Sequence, residues 1–230
     1  MAVNIDTVYQ RVLAILNKEN RGYLTPQEFN LFANQAQLEI FEQYFFDLNQ
    51  YSRLKENNTE YANLYSIVEE KLSKFQKYDS FAAVSGFCSF ANTDLHKIGS
   101  VIYNGIEVEK INQKQYTQYS LTKLAAPSLS APVFIERTVA GVWGIQILPN
   151  VSSVDIEYVK KPSQVTWGYL NILGKAQYNA STSTHFELHE SEEAVLVLKI
   201  LGYAGISIQD PNVIQIADAK ETKKISQEKS

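Results

Sequence analysis

The chain has 230 residues, enough to bury a substantial core, and 45% of them are apolar, the share of an ordered globular protein. Acidic residues outnumber basic ones, 25 to 21, which argues against a broad surface for gripping phosphates. Cys88 is the only cysteine, so no intrachain disulfide framework can form, and neither a basic leader nor an apolar run near the roughly 20 residues of a bilayer span is present. The expectation is a chain neither exported by a cleavable signal nor embedded in a membrane.

From the N-terminus, Asp6 to Asn17 carries Val8, Val12, Ile15 and Leu16 at helical spacing. The stretch that follows, NKENRGYLTPQE from Asn17 to Glu28, has the outline of a calcium loop, with Asn17, Glu19, Gly22, Thr25 and Glu28 in place. Its fifth ligand position holds the cation Arg21 and its first a neutral amide, which rules against a hard divalent ion. The same residues predict a helix-turn-helix corner. Gly22 ends one helix, Thr25 caps the next, Pro26 takes the first helical position and Glu28 reaches back to the cap.

Pro26 to about Tyr51 then repeats apolar groups at Phe29, Ala33, Ala36, Ile40, Tyr44 and Leu48, widened by Phe32, Phe41 and Phe45. So broad a stripe suggests contact on more than one side, and Phe32, Phe41, Tyr44, Phe45 and Leu48 form the candidate subunit interface. After Asn57 and Asn58, a third helix is expected from Glu60 to about Gln76, with Tyr61, Leu64, Tyr65, Val68, Leu72 and Phe75 on one face. The short connection predicts that it lies antiparallel to the second.

From Ser80 the period changes. Val84–Phe90, Ile98–Tyr103, Glu107–Lys110, Val133–Thr138, Val142–Leu148 and Val154–Val159 are short, β-branched and aromatic, and turn residues separate them. Asn104-Gly105 predicts a hairpin, Gln113 to Leu121 a short helix, and the alternation of Val154, Ile156 and Tyr158 with Asp155 and Glu157 a strand with one solvated face. Ser191 is expected to cap a largely apolar helix through Leu201, and Asp210-Pro211 to begin a last one. The fold class is therefore α+β: a bundle of N- and C-terminal helices around a central antiparallel β-rich insertion. The expected boundaries are 1–78 for the N-terminal helices, 79–185 for the β domain and 186–230 for the C-terminal helices and polar tail.

Reaction chemistry is not nominated anywhere. His185 and His189 are four apart, but Phe186 stands where a zinc-protease pattern requires Glu, and both precede the expected helix. Cys88 within GFCSF reads as a buried, inert thiol rather than the partner of His96. No phosphate loop, dinucleotide fingerprint or nucleophile elbow occurs, so no catalytic residue, metal ligand or cofactor is expected. The acidic group Glu187, Glu190, Glu192 and Glu193 at a helix start complements the helix dipole; as a sharper expectation, it faces a channel through which nucleic acid slides without sticking. Trp143, Tyr158, Trp167 and Tyr169 raise a separate alternative, a non-catalytic ligand- or carbohydrate-binding module that works by ring stacking.

Four stretches carry a resemblance: DTVYQRVLAILNKENRGYLTPQEFNLFANQAQLEIFEQYFFDLNQY, LHKIGSVIYNG, ILPNVSSVDIEYVKKPSQVTW and EEAVLVLKILGYAGISIQDPNVIQIA. Together they are similar to virion structural proteins of tailed bacteriophages, and most resemble ring proteins at the head-to-tail junction of crAss-like and related short-tailed phages. The resemblance implies a tail adaptor located in the virion and assembled in the bacterial cytoplasm. Its partners would be copies of itself, usually twelve, together with the portal and other tail or ring proteins. DNA would pass without specific binding, and no membrane would be involved. A polar C-terminal segment from Asp218 is expected to act as a docking arm.

Overall fold

The computed structural model describes residues 3–18, 24–53, 59–91, 93–122, 126–208, 219–220 and 222–223. Gly22, the helix expected at Asp210-Pro211 and most of the C-terminal arm lie outside them. The chain is a mixed α+β protein. Helices α1 (Ile5–Lys18), α2 (Pro26–Arg53) and α3 (Thr59–Ser73) precede strands β1 (Gln76–Ala82), β2 (Phe87–Ser89), β3 (Leu95–Tyr103), β4 (Ile106–Glu107) and β5 (Glu109–Lys110). Then come helix α4 (Gln113–Leu121), strands β6 (Val133–Val139), β7 (Val142–Leu148) and β8 (Ser153–Lys160), the hairpin β9 (Tyr169–Ile172) and β10 (Lys175–Tyr178), and helix α5 (Glu193–Ile208). These elements divide into two compact units, one comprising residues 1–74 and 162–230, the other Phe75–Lys161.

In the helical unit, α5 packs on α1 and α2, and α3 packs on α2. The corner expected at the start of α2 forms as a reciprocal cap. The Glu28 N–H donates to Thr25 Oγ1 at 3.3 Å, while Glu28 Oε2 accepts from the Thr25 N–H at 3.0 Å and from its hydroxyl at 2.7 Å. Those bonds, the hydroxyl's first, hold the Glu28 carboxyl below its ordinary pKa. The carboxylate that outlines a calcium loop in sequence is thus a helix cap in structure. Val8, Val12 and Leu16 of α1, Phe29, Ala33, Ala36, Ile40 and Phe41 of α2, and Leu196, Ile200 and Ala204 of α5 are buried.

The β unit has two four-stranded sheets, in the orders β1-β8-β3-β4 and β2-β7-β6-β5, and a parallel pairing of β5 with β6 in otherwise antiparallel ladders. Cys88, Val101, Ile145, Ile147, Val154 and Ile156 belong to one buried cluster within it. Asn104 and Gly105 both take positive φ, 48° and 78°, as the two-residue turn demands. Helix α4 has the span read from sequence, and its cap is a second reciprocal one, between Asn112 and Gln115. Phe75 and Lys160 are joined by a backbone hydrogen bond of 2.8 Å, so the chain enters and leaves this unit side by side.

Several elements differ from expectation: the strand expected at Val84–Phe90 is broken by a turn at Ser85-Gly86, leaving β2, and the β9–β10 hairpin was not expected. β1 begins at Gln76, where a helix was expected to end, because it is an almost wholly exposed edge strand with no alternating apolar signal. Residues 162–185, expected within the β domain, belong to the helical unit, for reasons that lie on α2.

Candidate interaction surface

Helix α2 carries three amides, Asn30, Asn34 and Gln37, at helical spacing on one side. Each meets the backbone of the extended segment 163–167. Asn34 donates to the Val165 carbonyl at 2.8 Å and accepts from the Val165 N–H at 2.9 Å, as a neighbouring strand would. Asn30 accepts from the Trp167 N–H at 2.7 Å, and Gln37 donates to the Ser163 carbonyl at 2.8 Å. A side-chain amide offers a donor and an acceptor on one planar group, so this ladder satisfies a strand-like backbone without a second strand on that side. It holds residues 163–167 on the helices and explains the displaced boundary.

The ladder ends at Trp167, which is 2% exposed and donates from its indole N–H to Asp6 at 2.9 Å. Tyr169 stacks on its ring at 5.8 Å, and Tyr178 lies 5.9 Å away on the returning strand. Next to it, a Cβ at Gly168 would collide with Thr182, so the approach needs glycine. The β9–β10 hairpin is thereby fixed at its base on one face, through Tyr169 and Tyr178. The other face pairs Leu170 with Gln177 and Ile172 with Lys175, and the turn is Leu173-Gly174. Leu170, Ile172 and Leu173 are 55%, 48% and 98% exposed, and Leu173 adopts φ 51°, a conformation costly for a leucine.

The second exposed surface is the outer side of α2. Gln27, Leu31, Gln35, Leu38, Glu42 and Phe46 fall within a stripe about 100° wide on a helix turning 100° per residue. Leu31 is 70% and Phe46 61% exposed, Leu38 is half-buried, and the stripe's charges are Glu42 and, at its edge, the capping Glu28. Most residues of α2 expected at an interface lie on its other faces. Phe41 and Tyr44 are buried in the subunit's own core, Phe45 lies edge-on to Phe41 at 5.1 Å, and Phe32 lies 5.9 Å from Tyr203 of α5, with Leu48 half-buried. Large apolar residues dominated the sequence pattern; the outward ones are masked there by the glutamines between them.

The acidic group is largely tied into the helical unit. Glu187 accepts from the Ser163 N–H and hydroxyl, both at 3.1 Å, Glu192 is 4% exposed and pairs with Lys71 at 2.6 Å, and Glu193 pairs with Arg11 at 2.7 Å. Glu190 is exposed. Three of the four carboxylates expected to line a channel therefore brace α1, α3 and the 163–167 segment.

The remaining candidates are structural too. His185 Nδ1 accepts from the Ile5 N–H at 3.3 Å, and His189 caps the 3-10 turn Glu190–Glu192 by accepting from Ser191, so the cap before α5 is His189 rather than Ser191. Burial pushes the Cys88 thiol up to about 11, which suppresses the reactive thiolate at neutral pH. Among the described residues no group of side chains suits a metal ion, and no helix is long and apolar enough to cross a membrane. Of the aromatic residues expected to form a sugar platform, Trp167 and Tyr158 are 2% and 6% exposed. Trp143, 38% exposed, rests on Phe90. A cavity of about 360 Å³ in the β unit is lined by Ile98, Val108, Phe134, Lys110 and Glu136, the last two joined by an ion pair of 2.6 Å. No family model matches the sequence, and neither does any curated protein.

Proposed function

We propose that this chain is a structural subunit of a tailed-bacteriophage virion, and that copies of it close into a ring at the head-to-tail connector, between portal and tail. In this reading the helices from both ends of the chain form the bundle that builds the ring wall, the β unit is an insertion into it, and DNA passes without specific binding. The chain performs no catalysis and requires no cofactor.

The observation that carries the reading is the outer stripe of α2. A solvent face of a long helix normally alternates charges of both signs. Here it presents amides and large apolar groups around two carboxylates, one of them a helix cap, and no cation, the composition of a face that stays covered by protein. Surfaces at the hairpin and at α2 are different in kind, which suits the head-to-tail contacts that close a ring. The similarity of the terminal helical stretches to connector ring proteins supplies the biological setting.

Electron microscopy of the purified chain, alone and mixed with the portal of the same phage, tests this. Closed rings of one rotational symmetry are the expected result. Single subunits under both conditions, with binding on a glycan array, would replace the ring with the carbohydrate-binding module.

A further inference from the structure

Resting on the reading of a self-assembling subunit, we infer which surfaces meet: the β9–β10 hairpin of one copy packs on the α2 stripe of the next. The hairpin offers Leu170, Ile172 and Leu173, a narrow apolar tip on a ribbon only four residues long on each side. Two strands alone are marginal in water, and only the base of this pair is braced by Trp167. Among the described residues no third strand pairs with it to complete the ribbon.

The α2 stripe offers the complementary shape. From Gln27 to Phe46 it runs about 28 Å along the axis at 1.5 Å per residue, long enough to receive the hairpin tip with room for flanking contacts. Charge fixes the pairing. From Tyr169 to Tyr178 the only charged residue is Lys175, cross-strand from Ile172 and therefore on the outward apolar face. The charges of the stripe are both acidic: Glu42, between Leu38 and Phe46, and at the edge Glu28, which is engaged in the Thr25 cap. One cation set beside apolar groups meets one anion set beside apolar groups, and the register is determined by that single pair.

The contact is heterologous. On α2 the stripe lies about 110° around the helix from the amide ladder that leads to the hairpin, so the two surfaces are separate and a copy can use both at once. A single cation is too few to grip a phosphate backbone, which turns the hairpin toward protein rather than nucleic acid. The tip remains exposed within its own chain, so the stripe it covers belongs to another copy.

Two variants separate the halves of the contact. The first carries I172D and L173D and keeps an intact stripe; the second carries L31D and F46D and keeps an intact hairpin. All four positions are exposed, and far-ultraviolet circular dichroism confirms folding before use. Native mass spectrometry of wild type should show higher assemblies, each variant alone should be monomeric, and an equimolar mixture should give one-to-one pairs and nothing larger. K175E and E42K should each weaken wild-type assembly at least tenfold, and the two together in one chain should restore most of it. If the wild type assembles and both aspartate variants assemble equally well, the hairpin contact is wrong while the self-assembling subunit stands. A wild type that stays monomeric overturns this contact; membership of a virion is then read independently, from the composition of the particle.

Discussion

Asn34 performs on a helix what a neighbouring strand does in a sheet, pairing both the N–H and the C=O of Val165. Its replacement by aspartate makes the role measurable. Asn34→Asp sets a carboxylate oxygen against the Val165 carbonyl and should cost about 2 kcal/mol at neutral pH, the range for leaving a buried acceptor opposed rather than bonded. The sign with pH is opposite to that of an ordinary paired carboxylate. The folded state favours the protonated form, whose O–H can donate where the amide did, so the variant binds more protons folded than unfolded and recovers stability as pH falls. Urea midpoints at pH 7 and near pH 4 check this: the gap to wild type should narrow in acid. A gap that does not change would mean that residue 34 faces only water, and one that widens would mean that the folded state favours the carboxylate. At α5 a related balance operates at Glu39, where burial works to raise the carboxyl but hydrogen bonds from Tyr203, Lys199 and Gln35 prevail and lower it.

Among the elements, the β9–β10 hairpin has a turn sequence that conflicts with its geometry. A two-residue turn with positive φ at both positions favours Asn-Gly, as the turn at Asn104 shows, yet the bulky Leu173 occupies the first position of the β9–β10 turn, where the β6–β7 turn has the small Ala140. Leu173→Asn should therefore raise the stability of the free chain by about 1 kcal/mol, by relieving a left-handed leucine, while reducing assembly. Thermal unfolding of the variant gives the first quantity; an unchanged or lower midpoint would show that Leu173 is packed in the free subunit. The same conflict explains what the sequence concealed. Helices α1, α2 and α4 and the strands β6, β7 and β8 were legible because period and caps agree, as at Thr25-Pro26 and Asn112. β1 was not, because an exposed edge strand has no apolar alternation, and neither was β9–β10, because Leu-Gly is not a recognised turn signal. On α2 the helix was legible and its outward face was not, since burial of Phe41 and Tyr44 depends on partners far away in the chain.

For the whole molecule, the meeting of Phe75 and Lys160 makes the β unit an insertion with adjacent ends, possessing its own buried cluster. Chain segments of this kind fold alone when their ends need no external brace. Residues 75–161 expressed separately should give a dispersed amide spectrum and one cooperative unfolding transition; a collapsed spectrum would show that the core is incomplete without the helices. The helical unit, by contrast, carries the surfaces assigned to assembly, and there the account stands or falls. The proposed connector ring is tested most directly by cross-linking mass spectrometry on virus particles purified from the source of this chain. The account predicts links between copies of the chain, concentrated on α2 and the hairpin, together with links to the portal. Absence of the chain from the particle would contradict it.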